Sequence, residues 1–79
     1  MYNVLVVDLS PYKDSVIKIY KESGYNVQEA ESAFDAMAKL KAFDFDLVVS
    51  EVELPGDNAF ELYKYIQTHY PYIHTIMTT

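Results

Sequence analysis

Apolar residues come in two alternating patterns along the chain. Tyr2-Asn3-Val4-Leu5-Val6-Val7 is β-branched, apolar on both faces and closed by Asp8, which suits a central parallel strand. Ser10-Pro11 then offers a cap and a first-turn proline for a helix. Tyr12, Val16, Ile19 and Tyr20 give that helix an apolar stripe, and Ser23-Gly24 stops it, with Gly24 in the left-handed position. Tyr25 to Glu29 reads as a second strand with Tyr25 and Val27 on one face. Ser32 with Asp35 resembles a capping box, and Ala33, Ala36, Met37 and Leu40 continue as one helical face. Asp44 to Ser50 is the third strand, apolar through its middle. Leu54-Pro55-Gly56-Asp57 is a turn, and Asn58 with Glu61 caps a third helix whose inner face is Ala59, Leu62, Tyr63 and Ile66. Tyr70-Pro71 ends it, and Ile73 to Thr78 is the fourth strand.

The order β-α-β-α-β-α-β with short connections predicts an α/β fold with a parallel sheet and right-handed crossovers. It forms one domain over residues 1–79, without a linker, low-complexity tract or repeat beyond the βα rhythm.

Composition changes this picture in three ways. Seventy-nine residues bury only about 60% of the unfolded chain's surface, so the core is thin. With no cysteine, disulfides and thiolate zinc sites are excluded, which leaves association with a partner as the remaining staple. A net charge of −6, with all six basic residues lysine, argues against a nucleic-acid partner and against an anionic membrane surface. There is no apolar run of membrane-spanning length and no basic leader before the first strand, so a cytoplasmic location is expected.

In an open parallel sheet, ligands gather beyond the carboxyl ends of the strands. Asp8, Glu51 and Glu53 fall there, and adjacency of strands one and three would pair Asp8 with Glu51. Two such carboxylates are a candidate Mg²⁺ site, although strand-ending acids often do no more than face water. Two glycines in all exclude both nucleotide-loop motifs. Ser10 and Ser50 have no nearby histidine base, and His69 and His74 read as helix-end and surface residues. Tyr63, Tyr65, Tyr70 and Tyr72 cluster around the third helix and its exit, a composition suited to core or contact surface alike.

Val4-Leu5-Val6-Val7-Asp8, together with Asp46 through Leu62 and Ile76-Met77-Thr78-Thr79, resembles the receiver domain of two-component response regulators. The resemblance implies a flavodoxin-like (CheY-like) three-layer sandwich with strand order 2-1-3-4, truncated before the fifth strand. It implies a signalling module of the phosphorelay rather than an enzyme. Glu51 takes the phosphoacceptor position, where the family has Asp; Asp8 and Glu53 line the acidic pocket, and Thr79 matches the switch hydroxyl. Leu9 replaces the second member of the acidic pair, and Ala59 replaces a customary glycine. The family's switch lysine and aromatic have no counterpart.

These departures predict a pseudo-receiver that is not phosphorylated and acts through protein–protein contact. No cofactor is expected, with Mg²⁺ held weakly at most by Asp8 and Glu51. The alternative is a phosphoacceptor receiver domain of which this is a fragment. With the fifth strand absent, strand four becomes a sheet edge. A homodimer is therefore expected through Ile73, His74, Thr75, Ile76, Met77 and Thr78, with a histidine kinase or another receiver as further partners.

Overall fold

The computed structural model describes residues 2–54 and 59–78. Among them the elements run β1 (Asn3–Val7), α1 (Lys13–Glu22), β2 (Asn26–Ala30), α2 (Ala33–Ala42), β3 (Leu47–Glu51), α3 (Ala59–His69) and β4 (His74–Thr78). All pairings are parallel, and the sheet order is β2-β1-β3-β4. The parallel pairing is the one expected from the βα rhythm, and the order is the flavodoxin-like one that the resemblance implies.

Alternation along the strands divides the core between two layers. Leu5 and Val7 of β1, Ala30 of β2 and Val48 of β3 face α2 and α3, where they bury Ala33, Ala36, Leu40, Ala59, Leu62 and Ile66. Val4, Val6, Leu47 and Val49 point the other way, against Ile17, Val16 and Tyr20 of α1.

β1 and β4 each begin one residue later than the sequence reading, at Asn3 and His74, and the bounds of α1, β2 and β3 differ for local reasons. Ser10 does not cap α1. Its hydroxyl accepts the Tyr12 N–H at 3.2 Å and its carbonyl accepts the Lys13 N–H at 3.2 Å, so a separate turn closes first and the helix begins at Lys13. The buried stripe is then set by Ile17. Ile19 lies about 200° around the helix from it and is exposed, as is Tyr12.

Tyr25 belongs to the exit of α1 rather than to β2. Gly24 takes φ +90°, the Gly24 N–H donates to Lys21 O at 3.0 Å and the Tyr25 N–H reaches back to Tyr20 O at 3.2 Å. This is a Schellman-type end, and it displaces β2 by one residue. Tyr25 instead stacks outside the core near Tyr2 and Tyr20, with ring centroids 4.8 and 6.1 Å apart.

Finally, β3 starts at Leu47 and runs through Glu51. Asn3 and Asp46 exchange hydrogen bonds of 2.8 Å just before it, and Phe45 is buried ahead of the strand.

The Ser32–Asp35 cap is present but modified. Ser32 Oγ accepts the Asp35 N–H at 3.0 Å, while the Asp35 carboxylate takes the N–H of Glu31 rather than that of Ser32, at 3.2 Å. Tyr63 is exposed, so the inner face of α3 is Ala59, Leu62 and Ile66. The predicted turn at 55–57 and the Asn58 cap lie outside the described residues.

Candidate functional site

The carboxyl ends of β1 and β3 meet because these strands are neighbours, with Val7 opposite Ser50. One residue beyond each pair sit Asp8 and Glu51, and β4 brings Thr78 opposite Glu51. Asp8, Ser10, Tyr12, Val16, Glu51, Glu53 and Thr78 line a pocket of about 290 Å³. The three acids singled out from sequence are thus in one place. Thr79, the residue matched to the switch hydroxyl, lies outside the described residues; its neighbour Thr78 forms the pocket wall.

Each carboxylate of the β1–β3 pair is engaged by backbone. Asp8 is buried, 6% exposed, and its Oδ1 accepts the Ser10 N–H. Glu51 Oε1 reaches 42 residues back along the chain to accept the Leu9 N–H at 3.0 Å. Buried Ser50 donates its hydroxyl to Glu51 O at 3.1 Å, and the Val52 N–H bonds Thr78 O at 2.8 Å, which ties the end of β3 to β4. Leu9 turns its side chain outward, 48% exposed, where a second acid would otherwise stand.

Among the described residues, no three His, Asp or Glu side chains converge closely enough to hold a metal ion. At the rim, Lys13 forms an ion pair with Glu29 at 3.0 Å. The hydrogen bond to Glu29, and then its charge, raise the Lys13 ammonium above its ordinary value.

Sequence reasoning missed Ser10, Tyr12, Val16 and Thr78 as pocket walls. It also missed the Leu9 N–H as a partner for Glu51, since a backbone donor carries no residue signature.

One residue of the expected contact strand is corrected. Ile73 is only 3% exposed and belongs to the core under α3, so it is not available to a partner. Met77 also packs partly against that core. The exposed part of β4 is His74 and Ile76, with Thr75 and Thr78 half-buried.

His69 closes α3 in an aromatic group with Tyr65, Tyr70 and Tyr72, none of which lines the pocket; its ring centroid is 4.5 Å from that of Tyr65. Desolvation, and then Tyr65, push the Tyr70 hydroxyl upward from its ordinary value.

A parallel 2-1-3-4 sheet whose β1 and β3 ends present acids is the arrangement that the sequence resemblance implies. The family described as the response regulator receiver domain matches residues 4–79, and the chain belongs to that family of two-component signalling. The chemotaxis protein CheY-3 of Vibrio cholerae is 34% identical over 65 residues, covering 81% of this chain and 50% of the relative. The chain thus spans about half the length of the curated relatives it matches.

Among solved structures, a CheY-like receiver from Methanospirillum hungatei superimposes with a TM-score of 0.90 at 28% identity, over 98% of this chain and 62% of the other. TrrA of Thermotoga maritima, solved with Mg²⁺ and BeF, matches at 0.86 and 28% identity, over 98% of this chain and 68% of its own. The same protein in complex with the histidine kinase ThkA matches at 0.84, over 98% and 67%.

No helix among the described residues is long and apolar enough to cross a membrane.

Proposed function

We propose that this receiver is a pseudo-receiver: a non-enzymatic module that accepts no phosphoryl group and signals through protein–protein contact. The observation that carries this reading is the state of Glu51. Its carboxylate is committed to the Leu9 N–H at 3.0 Å, and Leu9 stands where the family's second acid would be. Phosphoryl transfer relies on in-line positioning and on cations that neutralise the transferring group. Here the acceptor carboxylate is one methylene further from the backbone than an aspartate's, and the pair of acids that would hold Mg²⁺ is reduced to one. Magnesium usually needs well-placed carboxylates together with phosphate oxygens, so this donor set favours weak Mg²⁺ binding at most and no resident cofactor.

The contact surface in this proposal is the outer edge of β4. It has β3 as its one neighbour in the described sheet, and its side chains are half-exposed to exposed. Ile76 is 45% exposed on the α1 face. Unpaired strand edges beside apolar surface invite another strand, and a second copy would satisfy both edges by two-fold symmetry. A histidine kinase or another receiver is the further partner in this proposal, docking at α1; the similar TrrA is solved in complex with the histidine kinase ThkA. This activity belongs in the cytoplasm.

The rival reading is a phosphoacceptor receiver within a longer protein. The intact β1–β3–β4 frame around Glu51 favours it. Incubation with a small phosphodonor and Mg²⁺, followed by intact-mass analysis, separates the two. The pseudo-receiver predicts an unchanged mass; a gain of one phosphate at Glu51 supports the rival.

A further inference from the structure

The turn that joins β1 to α1 has a place for every backbone donor. The Asp8 N–H donates to Ala30 O at 3.2 Å. The Ser10 N–H goes to Asp8 Oδ1, the Tyr12 N–H to Ser10 Oγ at 3.2 Å and the Lys13 N–H to Ser10 O at 3.2 Å. Pro11 has no N–H to place. All of these partners are local or on the adjoining strand β2, with one exception: the Leu9 N–H is taken by Glu51 from the far side of the pocket, 3.0 Å away.

We infer that Glu51 is a positioning residue, a clasp that fastens the β1–α1 turn to the carboxyl end of β3. Side-chain length sets the clasp. Glutamate places its carboxylate one carbon–carbon bond, about 1.5 Å, further from the backbone than aspartate does, and a donor–acceptor distance of 3.0 Å leaves no room to lose that reach. The bond is charge-assisted, the stronger kind. By joining the turn to β3 it orders the segment that turns Leu9 outward and carries Ser10 and Tyr12 into the pocket wall. In this role the acid at the end of β3 acts through its reach rather than as a nucleophile. The clasp describes the resting carboxylate, so it stands whether or not Glu51 accepts phosphate.

The test is amide hydrogen exchange on the full chain, read at Leu9, with Val6 and Val48 as markers of global folding. Glu51→Gln keeps the reach and a neutral acceptor; Glu51→Asp keeps the charge and loses the reach; Glu51→Ala loses both. Protection of Leu9 is expected to fall about tenfold in Glu51→Asp and Glu51→Ala, with Glu51→Gln between these and the unaltered protein, and with Val6 and Val48 unchanged. Full Leu9 protection in Glu51→Asp, or protection in Glu51→Gln no better than in Glu51→Asp, overturns the clasp. Should Glu51→Ala lose protection throughout the sheet, the ranking of the other two variants decides alone.

Discussion

The two faces of the sheet are unequally covered. Among the described residues, one face shares with α2 and α3 a cluster of thirteen buried side chains, from Leu5 through Leu62 to Ile73. On the other, α1 accompanies Val4, Val6, Leu47 and Val49. The strands supply comparable apolar residues to both faces, so the imbalance lies in the helices available to cover them. Its trace is visible on the sheet: Ile76 of β4 is 45% exposed. Apolar surface of this kind contributes nothing to the folded monomer until something covers it. The first face carries most of the packing among the described residues, and the second is the one that the proposed partner would cover.

Substitutions should break this contrast in a set order. The largest effect belongs to Leu62→Ala on the covered face, where truncating a 1% exposed side chain costs about 2–5 kcal/mol. A domain of this size holds roughly 4–12 kcal/mol in all, so urea unfolding should show a large fraction of the stability lost. Ile19→Ala, on the outward side of α1, should stay within about 0.5 kcal/mol.

Next is association. If β4 and its surroundings pair two copies, Ile76→Lys should convert the dimer to monomer in sedimentation velocity at micromolar concentration. Its unfolding at high dilution should stay close to that of the unaltered monomer. An unaltered protein that is monomeric at every concentration removes the dimer from the account.

A third change acts at the pocket. Leu9→Asp combined with Glu51→Asp restores a paired set of short carboxylates, and calorimetry should then record Mg²⁺ binding at least about tenfold tighter than in the unaltered chain.

The smallest effect concerns Lys13 and Glu29, an exposed pair of little energetic weight. The folded state raises the Lys13 ammonium above its ordinary 10.5. The pair's contribution is therefore complete below that value and is lost as the pH rises through the folded-state value. Thermal melts of Glu29→Gln and the unaltered protein should differ slightly near neutrality and converge in strong alkali.

Periodicity made the architecture legible. The two-sided apolarity of Val4–Val7 and Leu47–Val49 could only belong to inner strands, and the three- and four-residue spacing of Ala33, Ala36 and Leu40 marked the buried side of α2. The same pattern misled at α1 in two ways: a turn built by Ser10 delays the helix to Lys13 and leaves Tyr12 outside it, and the buried side is centred on Ile17, which leaves Ile19 facing out. At the site, strand-end positions marked Asp8, Glu51 and Glu53, and the strand order implied by the resemblance brought them together, since it decides which strand ends meet. What Glu51 touches was not legible. Its partner is a backbone N–H, which every non-proline residue carries, and only the fold determines which one comes within reach.

The central claim is that this receiver's acidic pocket does not take up a metal-supported phosphoryl group. The most direct test is a titration of the isotope-labelled protein with Mg²⁺ and beryllofluoride, the pair present in the TrrA structure, followed by amide spectra. The account predicts that Asp8, Leu9, Ser50, Glu51 and Thr78 keep their positions throughout. Saturable shifts at these amides, requiring both Mg²⁺ and beryllofluoride, would contradict it.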